Sequence, residues 1–175
     1  MIDKTFAQVM AAYNAWQNDS IYAAADSLTD EARRLDRGAF FNSIHGTLSH
    51  LLWADRVWLS RFTGSIAPAG GIKTSSSLFD DWSALKHERK STDDAIKGWT
   101  ETFAAADVEG DISWHSGAMN RDITMPRTLV IAHFFNHQTH HRGQAHAMLT
   151  AAGAKPLDTD LIFMAGIMPQ PAQSR

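Results

Sequence analysis

Apolar side chains recur every three to four residues along four long stretches of this chain, and this spacing is the strongest constraint on its fold. In the first stretch, Ile2, Phe6, Met10 and Tyr13 fall on one face when the sequence is wound as a helix. Since no comparably long segment shows the two-residue alternation of a strand, the pattern predicts an all-α protein. The four predicted amphipathic helices cover residues 2–25, 43–62, 77–107 and 126–153.

Capping residues mark the ends of these helices. Ser43 and Ser77 suit N-caps because a serine hydroxyl can accept a hydrogen bond from a free N–H of the first helical turn. Pro126 suits the first turn of the fourth helix, and Gly153 suits the position after its last turn. The second, third and fourth helices thus each have a predicted boundary on at least one side.

The connections between the helices differ in composition. Residues 63–77 are rich in Gly, Ser and Pro and predict a loop between helices two and three. Residues 108–125 contain two glycines and short alternating stretches, which fit a crossover with a small hairpin better than another long helix. We therefore expect residues 1–175 to form one domain, a four-helix bundle with a long crossover between helices three and four.

Composition excludes several classes of function. The chain has no cysteine, so any metal ion must be bound by His, Asp or Glu. A net charge of -3 argues against binding to the phosphate backbone of nucleic acids. Neither a membrane span of about 18 apolar residues nor the apolar core of a signal peptide is found. We expect a cytoplasmic protein that acts on a small-molecule substrate and not on nucleic acid or a membrane.

Five of the nine histidines lie in the fourth predicted helix, between residues 133 and 149. His137 and His141 are one turn apart in the middle of its apolar face, so their rings project the same way. Burying two imidazoles without partners costs roughly 1–3 kcal/mol each. A shared divalent metal ion would offset this cost, and so would hydrogen bonds to neighbouring helices. The spacing alone does not choose between them.

A third ligand for such an ion must come from another helix. His133 lies one turn further along the same face, but ligands at 133, 137 and 141 would span about 12 Å, too far to meet at one ion. His50 of the second helix is the leading candidate, because its same-side neighbours are small or apolar and its ring can reach inward. The weaker candidates are His45, His87, His115, His140 and His146.

Four other polar or small residues carry open alternatives. Asn14 and Asn18 either hydrogen-bond within the core or face water. Asp55 either orients the ring of a ligand histidine or forms a salt bridge on the helix surface. Gly143 is unfavourable inside a helix by about 1 kcal/mol relative to Ala, and close approach of another helix or a ligand would explain it.

Three segments together resemble the DinB family, within the wider DinB/YfiT-like metalloprotein superfamily. They are YNAWQND, RGAFFNSIHGTLSHLLWADRVWLSRF and HFFNHQTHHRGQAHAML. The resemblance implies an up-down-down-up bundle, a homodimer, and a divalent metal ion, zinc or nickel, bound by three histidines. By motif these are His50 of TLSHLL together with His137 and His141 of NHQTHH.

The resemblance also implies a class of reaction. Superfamily relatives are transferases and isomerases that depend on low-molecular-weight thiols, so we expect a metal-dependent enzyme of this S-transferase or isomerase type, with a thiol cosubstrate. A metal-dependent hydrolase is the second possibility, weakened because no Glu stands beside the histidines as in H-E-x-x-H. A non-catalytic metal-binding stress protein is the third.

Overall fold

Helices make up most of the computed structural model, which describes residues 2–164. The α-helices in this range are α1 (Lys4–Asp26), α2 (Asp30–Arg34), α3 (Ile44–Thr63), α4 (Trp82–Glu101) and α5 (Arg127–Ala151). Strands β1 (Asp111–Ser116) and β2 (Arg121–Pro126) form an antiparallel hairpin. Short 3₁₀ turns cover Ile72–Ser77, Ala105–Val108 and Leu161–Phe163. The all-α prediction is confirmed in outline, with a small hairpin inside the predicted crossover.

Each of the four long helices packs against two others. Helices α1 and α3 both contact α4 and α5. Within residues 2–164, no helix has both the length and the apolar character needed to cross a membrane.

The predicted helix ends are partly confirmed. The Ser43 hydroxyl accepts a hydrogen bond from the Gly46 N–H at 3.0 Å, as an N-cap should. Gly153 follows α5 with a φ of +83°, the left-handed conformation expected after a helix. Pro126, by contrast, ends β2 and is the N-cap of α5 instead of lying in its first turn.

The prediction for the third helix was wrong at both ends. Ser77 belongs to the 3₁₀ turn, where its hydroxyl donates to the Thr74 carbonyl at 3.1 Å instead of capping a helix. Helix α4 begins after Asp81, whose carboxylate accepts from the Ala84 N–H at 2.7 Å. It ends at Glu101, and residues 105–108 form a separate 3₁₀ turn.

The interior consists of two apolar clusters. One cluster occupies the C-terminal halves of α1 and α5 and the N-terminal halves of α3 and α4, and it includes Ile21, Leu48, Leu85 and Leu149. The other occupies the opposite halves of the same helices and includes Ala7, Leu59, Ile96 and Phe134.

Polar side chains occupy the positions between these clusters along all four long helices. We call this set the polar layer; its members are Asn14, Asn18, Asp55, Arg89, Asp93, Gln138 and Arg142, and all are buried. The Arg89 Nη1 atom donates to Asp55 Oδ2 at 2.6 Å, and Nη2 lies 2.8 Å from Asp93 Oδ1. Two arginines and two aspartates balance one another in charge.

The polar layer decides two of the open alternatives. The amides of Asn14 and Asn18 donate to Asp93 Oδ1 at 3.2 and 2.9 Å, so both hydrogen-bond within the core. Arg142 donates to the Asn14 side-chain oxygen. Asp55 is only 1% exposed, so the surface salt bridge was wrong for it, and its ion-pair partner is the buried Arg89. Its contacts in residues 2–164 include no hydrogen bond to a histidine ring.

Candidate metal centre

Two helices bring three histidines together. His50 lies on α3, and His137 and His141 lie one turn apart on the facing side of α5. One ring nitrogen from each lies within 4.8 Å of those of the other two. His50 and His141 are buried, and His137 is half-buried. The structure therefore assembles the three histidines that the sequence singled out.

The three rings form a compact triangle. Ring centroids are 4.4 Å apart for His137 and His141, 4.8 Å for His50 and His141, and 5.4 Å for His50 and His137. The Nε2 atoms of His50 and His137 are 3.4 Å apart. Two nitrogens bound to one tetrahedral zinc ion at about 2.0–2.1 Å would lie about 3.3–3.4 Å apart. This pair is therefore spaced as two ligands of a single ion.

A serine from the loop after α3 orients the His50 ring. The Ser75 hydroxyl lies 2.8 Å from His50 Nδ1 and donates its own hydrogen to the Ile72 carbonyl at 2.7 Å. Because that hydrogen is already used, the hydroxyl must accept from a protonated Nδ1. His50 Nε2 then carries the free lone pair that a metal ion requires.

Gln144 does the same for the His141 ring. His141 Nδ1 lies 2.7 Å from Gln144 Oε1, and a carbonyl oxygen can only accept, so Nδ1 carries the hydrogen. The lone pair of His141 is therefore on Nε2. Sequence reasoning missed both orienting residues. Gln144 had a detectable signal, since it follows His141 by three residues on the same helix, whereas Ser75 had none.

Burial keeps the three imidazoles neutral. It lowers the pKa of His50 and of His137 to about 3, and the nearby His141 ring adds to the effect on both. Burial also lowers the pKa of His141, while the hydrogen bond to Gln144 opposes this change. Neutral nitrogens are the form that binds a metal ion, so protons compete little for this site near neutral pH.

An aromatic ring from the segment before α3 covers one side of the triangle. Phe41 stacks on His50 with centroids 3.7 Å apart and also approaches His141 at 5.5 Å. Its backbone oxygen lies 2.4 Å from where a Cβ on Gly46 would stand. Only glycine at position 46 therefore allows this segment to come so close to the first turn of α3.

The other histidines lie outside the triangle, as predicted. The His133 ring lies 5.5 Å from the His137 ring, centroid to centroid, but is not part of the group. His45 Nε2 lies 2.8 Å from the Phe79 carbonyl oxygen, and His115 is exposed and pairs with Asp122. His87 and His140 are exposed and His146 is partly exposed. Close approach of another helix does not explain Gly143, because a Cβ there would meet no atom of the described residues within 4 Å.

Comparison with known proteins identifies the family of this chain. The sequence model of the DinB family matches residues 1–171. The chain belongs to the DinB family. The Protein DinB of Bacillus subtilis (strain 168) is 26% identical over 159 residues, which cover 89% of this chain and 91% of that protein. No solved structure matches the chain. The DinB resemblance inferred from the three sequence segments is thus confirmed.

The donor set of this DinB family chain fits a divalent transition metal. Three neutral imidazoles suit zinc, nickel or copper better than magnesium or calcium, which prefer oxygen ligands. Two of the three rings have their second nitrogen hydrogen-bonded, which is the usual arrangement around a metal-binding histidine. The three histidines of this DinB family member are therefore able to hold such an ion.

Replacing Ser75 by Ala should weaken metal binding without abolishing it. The His50 ring loses the acceptor that fixes its tautomer, and loss of such a partner typically lowers metal affinity about 10–100-fold. Competition against a chelator of known affinity measures the change. Ser77→Ala in the same 3₁₀ turn is the control, since that serine is exposed and its hydroxyl donates to the Thr74 carbonyl, away from the histidines. Equal affinity of the Ser75 and Ser77 variants would contradict the orienting role.

Proposed function

We propose that this DinB family protein binds one divalent metal ion, zinc or nickel, through His50, His137 and His141, and that it is an enzyme of the thiol-dependent S-transferase or isomerase type. The observation that carries the proposal is the triangle of neutral imidazoles, two buried and one half-buried, in which the Nε2 atoms of His50 and His137 are 3.4 Å apart. Family membership supports the metal site but does not specify a reaction.

Three protein ligands favour a catalytic role over a purely structural one. A structural zinc site usually has four protein ligands, whereas a catalytic site keeps a position for water or substrate. A divalent ion bound by three histidines lowers the pKa of a thiol or water that occupies this position. Because the chain has no cysteine, the thiol must come from a low-molecular-weight cosubstrate.

The protein's own residues supply orientation and shielding. Ser75 and Gln144 hold the His50 and His141 rings in the tautomers that present Nε2. Phe41 covers the triangle on one side, and Trp53 lies with its ring 5.9 Å from that of His50. These aromatic groups exclude water around the histidines, which strengthens electrostatic interactions with a bound anion such as a thiolate.

Thiol-dependent loss of an electrophile tests this function. Purified protein loaded with zinc or with nickel is incubated with mycothiol or bacillithiol and an activated alkyl halide. We expect the rate with thiol to exceed the buffer rate and to fall to background in His50→Ala. The control His140→Ala removes an exposed histidine next to the site and should keep the wild-type rate.

The same experiment separates the alternatives. Hydrolysis of ester substrates that needs the metal but no thiol would replace this proposal with a hydrolase. Stable, stoichiometric metal with no turnover of either substrate class would identify a non-catalytic metal-binding protein.

We also propose the finer features of the architecture. The contacts of α1 and α3 with both α4 and α5 support a four-helix bundle in one domain. The two apolar clusters support an up-down-down-up order, because the C-terminal halves of α1 and α5 meet the N-terminal halves of α3 and α4. The homodimer, the small-molecule substrate and the cytoplasmic location remain predictions from the sequence. Sedimentation of the purified protein tests the dimer.

A further inference from the structure

Arg61, in the last turn of α3, is a half-buried cation held by aromatic rings. Its guanidinium carbon lies 4.3 Å from the centre of the Trp58 ring and 5.1 Å from that of Trp114. Among residues 2–164 it has no carboxylate partner within ion-pair distance and no side-chain hydrogen bond. Arg33, which also lies over a tryptophan, has an aspartate partner, so Arg61 differs from it.

An unpartnered, partly desolvated guanidinium is suited to bind an anion. Burial lowers the pKa of Arg61, but an arginine stays charged at physiological pH. The tryptophan rings contact the guanidinium without satisfying its five N–H groups, which can donate in pairs to a carboxylate or phosphate. The aromatic surroundings also exclude water, so such a pair is stronger than one in bulk solvent.

Arg61 is connected to the histidine triangle by a row of rings. Trp58 meets the His133 ring edge-on at 5.3 Å, and His133 meets His137 at 5.5 Å. Along α3, Arg61 follows His50 by eleven residues, which corresponds to about 16 Å at 1.5 Å per residue. A ligand of small-molecule length that is bound at the histidines can therefore reach Arg61 along this aromatic wall.

The hairpin between α4 and α5 completes this arrangement. Trp114 lies on β1, and its ring meets that of Trp58 at 5.3 Å with planes 76° apart. The crossover thus brings a side chain from a distant part of the sequence onto the end of α3 where Arg61 lies. Without the hairpin, Arg61 would lie against Trp58 alone.

We infer that Arg61, Trp58 and Trp114 form a subsite for an anionic group, carboxylate or phosphate, of the molecule whose other end binds at His50, His137 and His141. The inference rests on the proposed function for what binds at the histidines. It specifies the substrate class as an elongated acid, with the anion separated from the reacting thiol or electrophile by a spacer.

A series of thiols of increasing length tests this subsite. Zinc-loaded protein is titrated by calorimetry with ω-mercaptoalkanoic acids, from mercaptoacetic to mercaptoundecanoic acid, and with the mercaptoalkanols of equal length. We expect the acid to bind about tenfold more tightly than the alcohol at one spacer length and equally at shorter ones. Alkyl phosphates of that length, used as competitors, show whether phosphate is preferred to carboxylate.

Variants assign the effect to Arg61. Arg61→Gln should remove the preference for the acid while leaving the affinity for the alcohol unchanged, and Arg61→Lys should retain part of it. Arg121→Gln, on the hairpin that carries Trp114, removes one exposed positive charge and is the control for net charge. Three outcomes would overturn the inference. They are an acid preference that survives in Arg61→Gln, equal binding of acid and alcohol at every length, and no saturable binding of any acid.

A metal-free titration distinguishes failure of the anion subsite from failure of the proposed function. Hexanoate and hexanol have no thiol, and the acid should still bind more tightly in an Arg61-dependent way when no metal is present. If this preference holds but the protein takes up no metal, the proposed function fails and the anion subsite stands. If metal and thiol bind, but the mercaptoalkanoic acids and hexanoate bind equally to the wild type and to Arg61→Gln, only the inferred subsite is contradicted.

Discussion

Replacing Arg89 by Met is expected to lower the free energy of unfolding by about 3–5 kcal/mol, measured by urea denaturation. Arg89 is 3% exposed and pairs with Asp55 and Asp93, which are 1% and 2% exposed. Methionine keeps the length and apolar stem of the side chain but leaves two buried carboxylates without their cation. The loss comes from those uncompensated charges, since a complete buried ion pair itself adds little net stability.

The pH dependence of this loss follows from the same charges. Burial raises the pKa of the Asp55 and Asp93 carboxyls, and Arg89 opposes that rise. Without Arg89 the folded-state pKa values should rise further above those of the unfolded chain, so the folded variant binds protons more readily as the pH falls. We therefore expect the stability deficit of Arg89→Met to be larger at about pH 8 than at about pH 5.

Asp94→Asn is the matched control on the same helix. Asp94 pairs with Lys90 and Lys97, but all three side chains are exposed, so removing this charge should change stability little. An Arg89→Met variant as stable as Asp94→Asn would show that the polar layer is hydrated or relaxed in solution. A deficit independent of pH would show that the carboxylates are not its cause.

Replacing either His137 or His141 by Ala is expected to abolish stoichiometric metal binding while the protein stays helical. Each variant retains His50 of α3 and only one histidine of α5, and two imidazoles hold a divalent ion much less tightly than three. Elemental analysis of dialysed protein measures the metal, and circular dichroism measures the helix content. We expect one ion per chain in the wild type and much less than one in either variant.

The neighbouring histidines supply the controls for this second prediction. His133→Ala and His140→Ala remove rings that lie beside the triangle but outside it, so both variants should keep one ion per chain. Full metal content in His137→Ala or His141→Ala would contradict the ligand assignment. Loss of metal in His133→Ala as well would place the ion closer to the N-terminus of α5 than the triangle indicates.

Local sequence patterns predicted the features that depend on one segment. The spacing of apolar residues predicts helices because neighbouring turns present residues three and four apart on one face. The same geometry explains why His137 and His141 were recognised as a pair, and why His133 was placed outside it. The start of α4 was missed because Ser77 and Asp81 are both competent caps, and hydrogen bonds within the 3₁₀ turn decided between them.

Residue chemistry predicted part of what lies between segments. His50 was selected as a third ligand from its small and apolar neighbours, and the packing of α3 against α5 brings it to the other two. Asp55 was misjudged because its partner Arg89 lies on another helix, 34 residues away in the chain. No periodicity within α3 or α4 indicates that those two side chains meet.

The sequence by itself therefore determined the helical class, the paired histidines of α5 and the exclusion of thiolate ligands. Each of these follows from residue type or from spacing within one helix. Only the tertiary structure decided that Ser75 orients His50, that the polar layer joins four helices, and that Trp114 reaches Arg61. These contacts join residues that are far apart in the chain, and their geometry is set by how the helices and the hairpin pack. The spacing of residues within one helix carries no information about that packing.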